Sequence, residues 1–382
     1  MDFDWTEKEG AFRAELVDFI KENRRPGWTH HERDMPEPED REDVLKFCTA
    51  LGARGLMTPH WPREYGGREA SPWEQVILSE EMWGAGEPRG PQYMNINWIG
   101  PAIMRAGTPE QKDFHLGRIA RGEAMWCQGF SEPDAGSDLA SLRTRAVRDG
   151  DVYVVNGQKI WTSYAHTADF CFLLARTDPD ATRGEGITIL LTPMDLPGIE
   201  VRDIANPWVA HLVHEVYVRD VAVPVDCRLG EENKGWEVVR QALANERVGV
   251  ARHEAAERTL DGAVAAAEAA GIPVDDPALS EVIGMGYATC EAARAMNYAA
   301  VNERAAVRSG PRPVAAVSRA LTGPMEGVVA RVCYEVLGDH ALRQGSPAER
   351  QLAAGTTAPI AAGSLEVQLN LVARQVLDLP KG

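Results

Sequence analysis

The stretch GFSEPDAGSDLAS, residues 129–141, decides how the rest of the chain is read. It is dense in small residues and backbone donors. Gly129 and Gly136 let a ligand come close to the main chain, and the hydroxyls of Ser131 and Ser137 add side-chain partners. Such a loop suits a flat or phosphorylated molecule. Thirty residues beyond Ser131 lies Trp161-Thr162-Ser163, at the end of a strand-like run. Its indole offers a stacking face, and a hydroxyl beside it can hydrogen-bond a ring heteroatom. Taken singly, these features are as well explained by a turn and a core tryptophan.

On the N-terminal side, the first ~120 residues carry a helical apolar period. Thr6 and Glu9 form a capping-box pattern ahead of Phe12, Leu16, Phe19 and Ile20, which share one helix face. HWPREYGG (60–67) reads as a turn between helices, and EQVILSEEMW and PEQKDFHLGRIARGE as amphipathic helices. From about Met125 the runs VYVVNG, DFCFLLART, GITILLTP and HEVYVRDVAVP read as strands. Asn156-Gly157 and Pro197-Gly198 read as turns between them. After Asn233-Lys234-Gly235 the chain is Ala-rich and helical, with breaks at 271–277 and 309–313. The order is all-α, β, all-α, with expected domains at 1–122 (helical), 123–229 (β-barrel-like) and 230–382 (helical bundle).

Composition narrows the function. The chain has 382 residues, a hydrophobic content of 44% and a formal charge of −17. With no basic stripe visible, nucleic acid is not an expected partner. The six cysteines show no paired spacing, so neither a zinc site nor a disulfide framework is expected, and reduced thiols point to the cytoplasm. His30-His31 sits in a polar loop without a ligand set, and no metal is expected. The acidic start is unlike a signal peptide, and no apolar run approaches the ~20 residues that span a bilayer. No membrane is expected.

GFSEPDAGSD followed by VVNGQKIWTS, EVYVRDVAVP and GEENKGW resembles the acyl-CoA dehydrogenase family, and HWPREYGG and SLEVQLNLVARQVLDLP extend the match to both ends. The resemblance implies an α+β fold: an N-terminal helical domain, a central β-domain and a C-terminal four-helix bundle. It implies FAD as cofactor, an acyl-CoA thioester as substrate, and an external electron acceptor. It places Phe130 and Ser131 at the flavin pyrimidine edge and Trp161, Thr162 and Ser163 against the ring system, with Ser163 near N5. Ser137 is placed at the CoA portion and Arg247 near the thioester and pantetheine end.

Removing an α-proton from a thioester needs a positioned carboxylate. One of the two positions the family uses is Ala362 here, and Glu366, four residues on, reads as structural. The other falls on the first long C-terminal helix, where QALANERVGVA (241–251) offers Glu246 among apolar neighbours that would raise its pKa. The alternative for Glu246 is a salt bridge to Arg247 or an exposed helix position.

Elements that complete a neighbouring subunit's flavin site in the family's homo-oligomers are missing. Where Arg-x-x-Phe is expected stands GIPVDDPALS, and EVLGDHALRQ (335–344) has Glu335 in place of Gln and Asp339 in place of Gly. The pattern resembles the base-bearing subunit of heteromeric steroid acyl-CoA dehydrogenases, implying a heterotetramer with a paralogous subunit. A homo-oligomer in which Arg304, Arg308 or Arg343 substitutes for the missing contacts is the alternative. Two other functions on this fold are an oxidase or flavin monooxygenase and a non-catalytic subunit that binds CoA esters.

Overall fold

The computed structural model of the protein describes residues 5–28, 38–206, 213–246, 251–306, 313–343, 345–360 and 363–380, with only the backbone described for 38–39 and 241–246. His30, His31, Arg247, Arg308 and Ala362 lie outside the described residues, as does the side chain of Glu246.

Among the described residues six α-helices precede the strands: α1 (Glu7–Asn23), α2 (Pro38–Ala53), α3 (Pro72–Gly84), the single turn α4 (Gln92–Met94), α5 (Gly100–Ala106) and α6 (Pro109–Ala120). The Thr6–Glu9 box forms: Glu9 Oε2 accepts from Thr6 N at 2.9 Å and Thr6 Oγ1 from Glu9 N at 3.3 Å. Phe12, Leu16, Phe19 and Ile20 of the same helix are buried, as their spacing predicts. Ser71 and Thr108 cap α3 and α6 in the same reciprocal way, each ahead of a proline at the first helical turn.

Eight strands follow among the described residues: β1 (Trp126–Gly129), β2 (Arg145–Asp149), β3 (Val152–Ser163), β4 (Phe170–Arg176), β5 (Ile187–Pro193), β6 (Ile199–Asp203), β7 (Val213–Pro224) and β8 (Arg228–Leu229). They form one sheet in the order β6-β7-β3-β2-β4-β5-β8, with β1 paired to β4. The apolar run of β5 is buried along almost its whole length, whereas β3 and β7 alternate between buried and wetter positions. Asn156-Gly157 is not a turn. It lies inside the continuous strand β3, at a register shift against β7. A Cβ on Gly157 would come within 2.4 Å of Thr144 Oγ1, and Asn156 exchanges hydrogen bonds with Asp220. The extra residue of this bulge lies on β7, where Asp220 is left-handed at φ 49°, and the glycine opposite it serves the close approach.

The last helices are α7 (Gly235–Glu246), α8 (Arg252–Ala269), α9 (Pro277–Ala306), α10 (Pro313–Leu337), α11 (Pro347–Thr357) and α12 (Leu365–Gln375). By its contacts the chain divides into two compact units, one of Met1–Asp18, Ser71–Gly86 and Arg247–Gly382, the other of Phe19–Ala70 and Glu87–Glu246.

In the first unit, Leu260, Ala263 and Ala267 of α8 join Cys290 and Ala293 of α9 and Met325, Val329, Val332 and Val336 of α10 in one core. Small residues let these helices approach closely. A Cβ on Gly286 would sit 2.8 Å from Leu260 Cδ2, and one on Gly355 would sit 2.9 Å from the Cα of Gly327. A second cluster places Trp5, Trp73 and Tyr298 edge to face, with centroids 5.7–6.1 Å apart. In the second unit, Tyr153, Val155, Leu173, Leu190, Val216 and Val218 fill the core of the sheet. All six cysteines are free thiols. Among the described residues no helix is long and apolar enough to cross a membrane.

Candidate active site

The loop after β1 is shaped by a tight turn. Glu132 and Ala135 exchange backbone hydrogen bonds at 3.0 Å in both directions, with Pro133 and Asp134 at the corner. The side chain of Glu132 then turns inward. Its carboxylate accepts from Lys159 Nζ at 2.8 Å, Thr144 N at 2.8 Å and Arg143 N at 2.6 Å. Both charged groups are buried, Lys159 completely. Burial pushes the Glu132 pKa up, but the Lys159 ammonium and the amide donors outweigh it and hold the carboxyl below its ordinary range. For Lys159 burial is the larger influence and lowers its pKa.

This pair ties the loop to β3. Lys159 Nζ also donates to Phe130 O at 3.1 Å, and Ile160 N donates to Ser131 O at 2.9 Å. Phe130 and Ser131 are thus held beside the strand that carries Trp161, Thr162 and Ser163. These five expected cofactor residues are brought together within one unit.

β3 is bulged where it carries them. Lys159 pairs with Val216 and Thr162 with His214, so β3 holds one more residue than β7 in this interval. Trp161 takes up the difference in a left-handed conformation, φ 58°, and its indole is 60% exposed. An aromatic residue reaches this region only when its surroundings force it there. Here the result is a flat apolar face presented outward. Next to it, the Thr162 side chain is 1% exposed, and its Oγ1 has no hydrogen-bond partner among the described residues. Gly136, by contrast, has a negative φ and nothing within 4 Å of where a Cβ would be, so neither strain nor packing explains the glycine. An outward-facing indole, an unanswered hydroxyl and open space over the loop fit a planar ring system with polar edges.

Ser137 lies exposed on the same loop. Glu246 is the last residue of α7; its side chain and Arg247 lie outside the described residues. Glu366 stands in the first turn of α12, exposed, with backbone and Ser364 hydrogen bonds lowering its pKa. A lowered pKa is the wrong direction for a base that must hold a carbon-bound proton. In the stretch GIPVDDPALS, Asp276 accepts from Ala278 N at 2.9 Å and so caps α9.

Three features escaped the sequence reading. The Glu132–Lys159 pair is one, since β3 mixes polar and apolar residues and nothing in its sequence sets Lys159 apart. Gln128 on β1 is another: its Nε2 is buried without a hydrogen-bond partner among the described residues. The third is a cavity of about 830 Å³ in the strand-bearing unit, lined by Arg118, Ala165, His166, Asp169, Met194 and His214 among others. None of the five cofactor candidates lines it. His214 links the two regions, with Nδ1 3.2 Å from Thr162 O.

The N-terminal, middle and C-terminal domain profiles of the acyl-CoA dehydrogenases match residues 6–123, 127–221 and 233–377. The acyl-CoA dehydrogenase FadE26 of Mycobacterium tuberculosis is 36% identical over 87% of this chain and 86% of its own length. FadE34 of the same organism is 46% identical over 214 residues, a match that spans 56% of this chain and 29% of that relative. Among solved structures, the Tcur3481–Tcur3483 steroid ACAD superposes with a TM-score of 0.89 at 32% identity, covering all of both chains. The ChsE4–ChsE5 complex from Mycobacterium tuberculosis gives 0.85 at 32% identity, again over all of both chains. With three domains matched in order and the fold in agreement from end to end, this chain belongs to the acyl-CoA dehydrogenase family of flavin-dependent oxidoreductases.

Proposed function

We propose that this chain carries out FAD-dependent α,β-dehydrogenation of an acyl-CoA thioester as the base-bearing subunit of a heteromeric enzyme, with a bulky, steroid-like acyl chain as substrate. The observation that carries the reading is Trp161, turned out of the sheet in a left-handed bulge beside the unpartnered hydroxyl of Thr162. FAD bound there supplies the acceptor for the hydride from the β-carbon. Phe130 and Ser131 would hold the cofactor's pyrimidine edge through their backbone, the indole of Trp161 would cover the ring system, and Ser163 would offer it a hydrogen bond. Ser137 binds the CoA portion and Arg247 the thioester end. Glu246, closing α7, removes the α-proton. An external electron-transfer acceptor would be the partner that regenerates the cofactor, and the six free thiols suit a cytoplasmic enzyme. The domain division 1–122, 123–229 and 230–382 belongs to the same proposal.

The heteromer rests on the replaced elements. At GIPVDDPALS no arginine is available to grip a neighbour's diphosphate, and Asp276 there is committed to capping α9. Relatives described as a complex of two named proteins and as a steroid ACAD support both the partner and the substrate class.

Flavin absorbance per chain tests this directly, on the purified protein and after co-expression with a paralogue carrying Arg-x-x-Phe. Flavin confined to the mixed complex, at about half occupancy per chain, is the expected result. Full flavin on the isolated chain overturns the heteromer. No flavin in either preparation overturns the catalytic reading in favour of a CoA-ester-binding subunit. In the mixed complex, Glu246→Gln keeps flavin and lowers turnover by about 10²–10⁴-fold, the range of a general base. Unchanged turnover would remove Glu246 from its role.

A further inference from the structure

Within the first unit, α3 and the first turn of α8 bring Glu80 together with the adjacent pair His253-Glu254, far along the chain from it. His253 is 0% exposed, and neither ring nitrogen has a hydrogen-bond partner among the described residues. Its Nε2 lies 3.6 Å from Glu80 Oε1 and 3.5 Å from Glu254 Oε1, and one ligand atom from each residue falls within 4.8 Å of the others. Those separations are too long for good hydrogen bonds, which cluster near 2.9 Å. They match two ligands sharing one ion: bonds of about 2.0–2.2 Å at tetrahedral angles set neighbouring ligands roughly 3.3–3.6 Å apart.

The carboxylates are held from outside. Tyr298 OH donates to Glu80 Oε1 at 2.6 Å and Arg13 Nη2 to Glu80 Oε2 at 2.8 Å. Arg294 Nη2 donates to Glu254 Oε1 at 2.9 Å and to Glu257 at 2.7 Å, and its other terminal nitrogen pairs with Glu291. Outer donors of this kind orient ligating carboxylates in metal sites. Charge favours a cation as well. Glu80, Glu81, Glu254, Glu257 and Glu291 are five carboxylates around two guanidiniums, Arg13 and Arg294. A protonated His253 adds one positive charge, a divalent ion two. The Glu254 side chain is 23% exposed, which gives an ion a way in.

We propose that Glu80 Oε1, His253 Nε2 and Glu254 Oε1 form a structural site for a divalent transition-metal ion, with water completing the coordination. One imidazole nitrogen with two carboxylate oxygens suits zinc or manganese over calcium, which takes six to eight oxygens. The ion fastens α3 to the start of α8. None of the three is among the residues proposed above for flavin or substrate.

The test uses full-length protein stripped with a chelator and titrated by calorimetry with zinc and with manganese chloride. One ion per chain is expected, with a higher melting temperature on loading, and His253→Ala weakens the affinity by about 100-fold or more. Glu254→Gln does the same, should the histidine variant fail to fold. X-ray absorption at the zinc edge of the loaded wild-type protein needs no variant; it should show one imidazole and oxygen neighbours without sulfur. No stoichiometric binding, binding indifferent to both substitutions, or a sulfur shell from the free cysteines would each overturn the proposal.

Discussion

Thr162 and Trp161 place opposite demands on the free protein and on its complex. A buried hydroxyl without a partner costs a fold about 1–3 kcal/mol, and a non-glycine residue in the left-handed region about the same. Thr162→Val keeps the shape and removes the unanswered hydroxyl. Urea unfolding should therefore show the free chain stabilised by about 1 kcal/mol, while the mixed complex retains less flavin. A destabilised free chain would mean that Thr162 Oγ1 has a structural partner, and undiminished flavin would mean that it faces no ligand. Trp161 was legible from sequence as a stacking surface. Its backbone conformation was not, because it follows from a register difference between two strands about 50 residues apart.

At the scale of elements, α6 meets β1 and β4 through aromatic rings. His115 packs edge-on to Trp126 and Phe170, with centroids 5.1 Å from each. Burial in this setting, aided by Arg118, lowers its pKa from 6.5 to about 4. The unfolded chain therefore binds a proton between these values that the folded chain excludes. The stabilisation is complete above pH 6.5 and is lost as the pH falls towards 4, by roughly 3 kcal/mol. Denaturant melts of wild type and His115→Phe across this window should diverge by that order, with the variant the flatter. Parallel curves would place His115 in water. Helices with a clear apolar face were readable, as the Thr6–Glu9 box and the runs EQVILSEEMW and PEQKDFHLGRIARGE show. Strands were readable where they are long and apolar. β1 has four residues, and in β2 only Ala146 is buried, so neither offers a period to detect. Asn156-Gly157 misled because a turn dipeptide can equally lie within a strand, here opposite a bulge in β7.

For the whole molecule, the last 41 residues carry a concentration of exposed apolar side chains: Leu342 at 77%, Ile360 at 71%, Leu377 at 61%, Leu379 at 52% and Leu369 at 51%. Apolar surface of this kind marks association sites. Leu369→Glu combined with Leu377→Glu should leave the helical circular dichroism of the chain intact and lower the mass of the mixed complex by light scattering. An unchanged mass would locate the subunit contact elsewhere. The family and its order of domains could be read from motifs, because each is a contiguous run. The Glu80–His253–Glu254 cluster could not, since folding alone brings α3 to α8, and no spacing along the chain announces it.

The outward position of Trp161 has an optical consequence. The chain has ten tryptophans, and among the described ones Trp161 is the one that is exposed. Buried indoles emit towards the blue and hydrated ones towards the red, so among the described tryptophans this residue dominates the red edge of the fluorescence. A chromophore lying against the ring would quench that edge first, and occupancy could be followed on the unlabelled protein without any turnover.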